Sequence, residues 1–346
     1  MNSGHPDLGA ITVLGACILD VLGRPVETIP PGQGSVRLAE IRATAAGTAA
    51  GPAVDLAKLG ARVRVLGALG DDLLGDIVTA AMARHGVETA SLVRKKDVQT
   101  SATILPIRPN GERPALHVPG ATRLFGYADI DQEHLAGARA LLIGAPDALA
   151  GMTGEELAQV AKTAKGAGAL VAVDVLHPGR PQDLERLAPL LGQTDWFMPN
   201  ADQLLALTGR ADLADAIEDV LALGTYGVAV TQGADGCLVA WRGASGSAAL
   251  PALPVDVVDT TGCGDGFTAG LLAGLLLAAG QNGGGQNGGG QNSADPLDAA
   301  WLGLACGALV ATGLGSDAGI ESLAQVLDFL DGAQPAAAGR IKELMK

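Results

Sequence analysis

The chain has 346 residues, 48% hydrophobic and 17% charged, which supplies a sizeable core and excludes a disordered chain. Acidic residues outnumber basic ones 37 to 23, a formal net charge of −14, and no basic run is present. That balance excludes an extended nucleic-acid or anionic-membrane surface and leaves any anionic substrate to be held by local features.

In chain order, AITVLGACILD opens as a buried strand ending at Gly15. SVRLAEIRA (35–43) alternates like a partly exposed strand. AAGTAAGPAVDLAKLGA reads as a glycine-rich entry into a helix that stops at Gly60. RVRVLGALG is a strand, and DDLLGDIVTAAMARHG a helix with acids in its first turn and Gly86 after its end. TSATILPIRPNGERPALHV reads as a hairpin about Pro109–Asn110–Gly111. Regular alternation follows: ARALLIGA then TGEELAQVAKTAKGAG, ALVAVDV then PQDLERLAPLLG, DWFMPN then ADQLLALTG. YGVAVTQGADGCLVAW reads as paired strands around Gly233–Gly236. Such alternation predicts an α/β fold with a mainly parallel sheet covered on both faces, and ligands at the carboxyl ends of its strands. The early exposed strands fall outside the alternation and predict a small β lid, with strands within about 22–44 and 98–119. QNGGGQNGGGQN (281–292) holds no apolar residue and predicts a flexible surface loop.

Cys17, Cys237, Cys263 and Cys306 are scattered and form no CxxC pair, which fits reduced thiols better than a disulfide framework or a zinc site. MNSGHPDLGA lacks the basic and apolar regions of a signal peptide. The apolar runs 267–280 and 299–315 are short and rich in Ala and Gly, so they read as core helices, and the chain as a soluble cytoplasmic protein.

The stretch VVDTTGCGDGFTAGLLAGLLLA holds the strongest chemical signal. N–H groups at a helix start lack intrahelical partners and carry the positive end of the helix dipole, and glycines there admit a phosphate closely. One acid, Asp265, stands inside this anion hole. A helix N-cap is one reading of it; the other is a general base that takes a proton from a hydroxyl attacking the phosphate. No GxxxxGK[ST], no strand–GxGxxG–helix near the N-terminus, no GxSxG and no metal-ligand spacing among the five histidines is present.

DTTGCGDGFTAGLLAGL is similar to the DTxGAGDxF signature of ribokinase-like (PfkB-type) carbohydrate kinases. ITVLGACILDV resembles their first strand with its substrate-binding Asp, here Asp20. AAGTAAGPAVDLAKLGA, VRVLGALGDDLLGD, FMPNADQLLALTG and AVTQGADGCLV resemble further segments, in family order from about residue 11 to 320. The resemblance implies a single domain, a three-layer ribokinase-like sandwich with a β lid, that transfers phosphate from ATP with Mg2+ to a hydroxyl of a sugar or sugar-like molecule. It implies that Asp265 is the base and that the N–H groups of Gly262, Cys263 and Gly264 stabilise the transferring group. Asp20, Gly47 and Gly51 would then face the acceptor, and Asn200, Thr231 and Gly233 the nucleotide. Asp259 and Thr261 match positions that hold a monovalent cation such as K+ in some members, and the lid forms a homodimer contact in the family.

Three departures stand out. The family's Asn in GGxxxNxA is Gly51, its Ala before the last glycine of the signature is Cys263, and the Glu of NxxE is Gln203, which would lie near magnesium with one carboxylate fewer. Two other readings share the scaffold: a nucleoside kinase, disfavoured by only 3% aromatic residues, and a catalytically weak ligand-binding or regulatory protein.

Overall fold

The computed structural model describes residues 8–244, 246–280 and 295–345. The expected loop at 281–292 lies outside the described residues.

The first half contains β1 (Ala10–Gly15), β2 (Ile18–Arg24), β3 (Glu40–Ala46), α1 (Gly47–Lys58), β4 (Arg62–Gly70), α2 (Leu73–Ala83), β5 (Leu92–Lys95), β6 (Ala102–Pro106), β7 (Leu116–Val118), β8 (Ala140–Gly144), α3 (Gly154–Gly166) and β9 (Leu170–Asp174). The second half contains α4 (Pro181–Leu191), β10 (Trp196–Phe197), α5 (Ala201–Thr208), α6 (Leu213–Leu223), β11 (Gly227–Thr231), β12 (Cys237–Trp241), β13 (Ala248–Leu250), α7 (Cys263–Gly280), α8 (Pro296–Val310), α9 (Leu323–Ala333) and α10 (Pro335–Glu343).

Nine strands form the main sheet in the order β13-β12-β11-β10-β9-β8-β1-β4-β5. All neighbours are parallel except β11–β12 and β12–β13. Both faces are buried, as a parallel sheet requires. Alternate residues of one strand therefore feed two cores: Ala140 and Leu142 of β8 face α1 and α7–α10, while Leu141 and Ile143 face α3–α6.

After β1 the chain winds to β4 on one side and later returns to β8 on the other. The β1–β8 boundary is thus a topological switch point, where a crevice opens at the strand ends. Its floor is bare backbone. Gly15 pairs with Gly144, and a Cβ on Gly144 would meet Thr48 O of α1 at 1.8 Å.

A second sheet, β3-β2-β6-β7, is the lid; it starts at Ile18 rather than about residue 22, and its strand β3 starts at Glu40, where the sequence reading began one at 35. ITVLGACILD is two strands. β1 ends at Gly15 (φ 149), and Asp20 belongs to the lid. The segment 25–39 is irregular and, apart from buried Val26, largely exposed, since Pro25, Pro30, Pro31, Gly32 and Gly34 interrupt any ladder. The turn at 108–111 forms as expected: Gly111 N donates to Arg108 O at 2.9 Å and joins β6 to antiparallel β7.

Register gives the lid two unlike faces. Thr44, Asp20, Thr103 and His117 stand opposite one another in one cross-strand row. The next row, Ala43, Val21, Ile104 and Leu116, points to the other face, where Ile104 is 57% and Leu116 60% exposed.

Candidate active site

The glycines around Asp265 serve three separate needs. Gly262 has φ 83, and a Cβ there would lie 2.5 Å from Ser316 Cα, so it is held by both conformation and space. Gly264 has nothing within 4 Å of an added Cβ and leaves the approach to the helix start open. Gly266 lets α7 pack on α8, since its Cβ would meet Val310 Cγ2 at 2.8 Å.

Cys263 N–H donates to Thr260 O at 3.3 Å, and Gly266 N–H to Gly262 O at 2.8 Å. Among the described residues the N–H groups of Gly262, Gly264 and Asp265 have no backbone acceptor. The open donors at this helix start therefore include that of Asp265 itself, while the expected Cys263 N–H is already engaged.

The carboxyl of Asp265 lies against α1, where a Cβ on Gly51 would come within 2.7 Å of its Oδ2. Loss of hydration, and then the charges of Asp174, Asp55 and Asp20, push it well above the usual carboxylate range, and Arg113 pulls it down. Asp20 is nearly buried on the lid's inner face, and burial pushes it up to about 6 against a hydrogen bond from Thr103 and the Arg113 charge. Thr103 in turn meets His117 Nδ1 at 3.1 Å. Gly47, at the lid end of α1, has φ 85, and Ala16 O accepts from Ala49 N at 3.1 Å, closing the start of that helix.

Asn200 and Thr231 are neighbours at the ends of β10 and β11, joined by a parallel bridge in which Thr231 N donates to Pro199 O at 3.1 Å. Gly233 follows in a short turn with φ 58. In the main sheet β10 and β11 lie beyond β9 and β8 from β1. Gln203, expected near magnesium, is hydrogen-bonded through both ends of its amide. Its Oε1 accepts from Asn200 N at 2.8 Å, and its Nε2 donates to Val175 O at 2.9 Å and Leu176 O at 3.2 Å. With Asn200 Oδ1 accepting from Gln203 N, this is a reciprocal helix cap tied to the loop after β9.

Asp259 is buried. Its Oδ1 accepts from Thr261 N and Oγ1 at 3.0 and 2.8 Å, and its Oδ2 from Gly315 N at 2.9 Å. The pair expected to face a monovalent cation thus braces the turn before Gly262. The Cys263 thiol is pushed up to about 12, chiefly by burial, so it is no reactive thiolate at neutral pH.

Sequence reading overlooked three groups that the fold brings here. Asp174, at the end of β9, accepts from Thr268 Oγ1 at 2.9 Å and is pushed up to about 8 by burial. Asp55 of α1 is fully buried, and neither carboxyl oxygen has a hydrogen-bond partner among the described residues. Arg113 reaches in from the β6–β7 hairpin, its Nε 3.1 Å from Thr260 Oγ1. Their segments were visible, yet only three-dimensional closure of the crevice sets them beside Asp265. Among the described residues no group of three or more His, Cys, Asp or Glu side chains is placed to hold a metal.

A family model described as pfkB family carbohydrate kinase matches residues 9–323. The chain belongs to this family. The kinase is 27% identical over 299 residues to fructokinase-1 of Oryza sativa subsp. japonica, covering 83% of this chain and 88% of the relative. Its fold is that of the Arabidopsis thaliana ribokinase solved with ribose and ATP: TM-score 0.74, 22% identity, covering 93% of this kinase and 98% of that chain. A putative ribokinase II from E. coli, solved with ATP and Mg2+, also has TM-score 0.74 at 20% identity, covering 94% and 99%. The ribokinase-like architecture and carbohydrate kinase activity read from the sequence therefore stand. No helix among the described residues is long and apolar enough to cross a membrane.

Proposed function

We propose that this kinase transfers the terminal phosphoryl group of ATP to a hydroxyl of a sugar or sugar-like acceptor bound between the lid and the strand ends, with Asp265 as general base. The observation that carries the reading is Asp265 itself. It is a carboxyl in the first turn of α7, after a left-handed Gly262, in a crevice that also receives Asp20 from the lid. Asp20 would orient adjacent acceptor hydroxyls, because one carboxylate accepts two such bonds. Asp265 would take the proton of the attacking hydroxyl, and the open N–H groups at the start of α7 would hold the charge that develops on phosphorus-bound oxygen. Asn200, Thr231 and Gly233 would border the nucleotide.

Magnesium supplies neutralisation of the phosphate charge when bound. The chain fits such an ion only sparsely, as expected for a metal held largely by phosphates and water, and Asp174, whose charge bears most on Asp265, would be the carboxylate to hold it. Asp259 and Thr261 are already hydrogen-bonded to each other, so a K+ ion there would use main-chain carbonyl groups as well.

The lid's inner row, Thr44, Asp20, Thr103 and His117, contains no Phe, Tyr or Trp, and its one small ring is the imidazole of His117 beside Thr103. This supports a polyol acceptor over a nucleoside. The outer face exposes Ile41, Ile104 and Leu116, which supports a homodimer through the lid. Ile104→Lys should then yield monomer in sedimentation, and an unchanged distribution would reject this contact.

ADP formation across a panel of sugars, sugar acids and nucleosides tests the reading. A productive sugar together with an Asp265→Asn loss of about 10²–10⁴ in kcat would support it. Turnover of nucleosides alone, or an active Asp265→Asn variant, would overturn it.

A further inference from the structure

The turn before α7 receives a hydrogen bond from the lid. Arg113 Nε donates to Thr260 Oγ1 at 3.1 Å, and Nη1 reaches Thr261 Oγ1 at 3.5 Å, over 147 and 148 residues of chain. These threonines directly precede Gly262 and the open N–H groups of the helix start. Arg113 is exposed, yet its charge bears on Asp20, Cys263 and Asp265 together, and among the described residues it makes no ion pair.

The charges facing Asp265 explain why a cation is needed here. Asp20 on β2, Asp55 on α1 and Asp174 on β9 all disfavour negative charge at this point, and Arg113 alone among its named neighbours favours it. ATP would bring further negative charge into the same crevice of a chain whose net charge is −14. Peptide N–H groups at one helix end supply only about half an elementary charge. A guanidinium adds a full charge and a planar fork that matches two oxygens of one phosphoryl group.

We propose that Arg113 is a catalytic residue delivered by the lid, clamping the transferring phosphoryl group as ATP and acceptor meet at the start of α7. This rests on the kinase reading above. In the step, the acceptor oxygen bonds to the terminal phosphorus and the bond from that phosphorus to the bridging oxygen breaks. Its electron pair stays on ADP, and the hydroxyl proton passes to Asp265. Arg113 forms and breaks no bond; it balances charge on the oxygens in flight. Its anchor points favour this role over recognition of an acid group on the acceptor. Its hydrogen bonds go to the phosphate turn at Thr260 and Thr261, and among the described residues none joins it to the Asp20–Thr103–His117 row that would read acceptor hydroxyls.

The test compares wild type, Arg113→Gln and Arg113→Lys, with unchanged thermal midpoints as the folding control. With the best acceptor of the panel, Arg113→Gln should lose on the order of a hundredfold in kcat while KM for ATP and acceptor changes little, and Arg113→Lys should recover only part. The acid limb of the pH–rate profile should move upward in Arg113→Gln. Calorimetric titration needs no acceptor turnover. Arg113→Gln should bind magnesium ADP as wild type does, yet bind magnesium ADP–aluminium fluoride at least about tenfold more weakly. Wild type that phosphorylates nothing in the panel would defeat the kinase reading, whereas equal fluoroaluminate affinity in the two proteins would defeat the clamp. A raised acceptor KM with kcat retained would also overturn it, and would assign Arg113 to an anionic acceptor.

Discussion

A Cβ on Gly51 would stand 2.7 Å from Oδ2 of Asp265 and 2.9 Å from its Cγ. The departure from the family's Asn therefore does more than remove an acceptor contact. Bare backbone at this turn of α1 is what lets the carboxyl occupy its position. Gly51→Ala should lower kcat at least about tenfold, because displacement of a catalytic group by a fraction of an ångström costs more than its packing energy. Thermal stability should change little, since Asp265 can swing aside. An Ala variant with normal kcat would show that Asp265 works from another position.

The ionisation of the site predicts its pH response. Burial and the neighbouring acids push Asp265 well above the usual carboxylate range, and burial pushes Asp20 up to about 6. The base proposed at Asp265 must be ionised, so kcat/KM should fall as pH drops, with the acid limb above the ordinary carboxylate range rather than near about 4. Asp174→Asn removes one cause of the upward shift and should move the limb down. Profiles from about pH 5 to 9 for both proteins give the answer.

Gln203→Glu sharpens the contrast between resemblance and structure. Restoring the family's carboxylate would be expected to ease magnesium capture. In the fold, however, Nε2 donates to two carbonyl groups, and Glu would set a carboxylate oxygen against both. The variant should lose about 1–3 kcal/mol of stability in urea titration. Its magnesium requirement should not fall. Unchanged stability with a lower requirement would return this residue to the metal.

Asp55 is buried with no hydrogen-bond partner among the described residues, and burial raises its proton affinity well above the ordinary value. Through the window between its unfolded and folded pKa values the native state binds more protons than the unfolded chain, so stability falls as pH rises. Asp55→Leu should flatten that slope and stabilise the fold by about 1–3 kcal/mol at pH 8, with less gain toward pH 5. Melting curves at both pH values suffice; a loss of stability at pH 8 would mean that this carboxyl has an ionised partner.

The alternation of strands and helices was legible because β1, β4, β8 and β9 are largely apolar runs closed by Gly or Asp, and the site was legible where it is local. TTGCGD carries its own geometry in consecutive residues. What the sequence hid depends on distant closure. Asp20 sits on a lid strand apart from β1, and its cross-strand neighbours Thr44 and Thr103 lie far along the chain. The bonds from the Gln203 amide to Val175 O and Leu176 O join segments 27 and 28 residues apart, which no local pattern shows. Arg113 reads as one more exposed hairpin arginine, and nothing near it in sequence points 147 residues ahead to Thr260.

The lid's register also bears on how this enzyme could diverge. The side chains proposed to read the acceptor stand in one row on strands β2, β6 and β7, whereas the α7 start and the Asn200–Thr231 pair belong to the body. Substitutions along that row can change which acceptor fits while the phosphoryl-transfer apparatus stays as it is. Duplicated copies of such a gene could then part company in diet without relearning the chemistry, each exploring new acceptors one lid residue at a time.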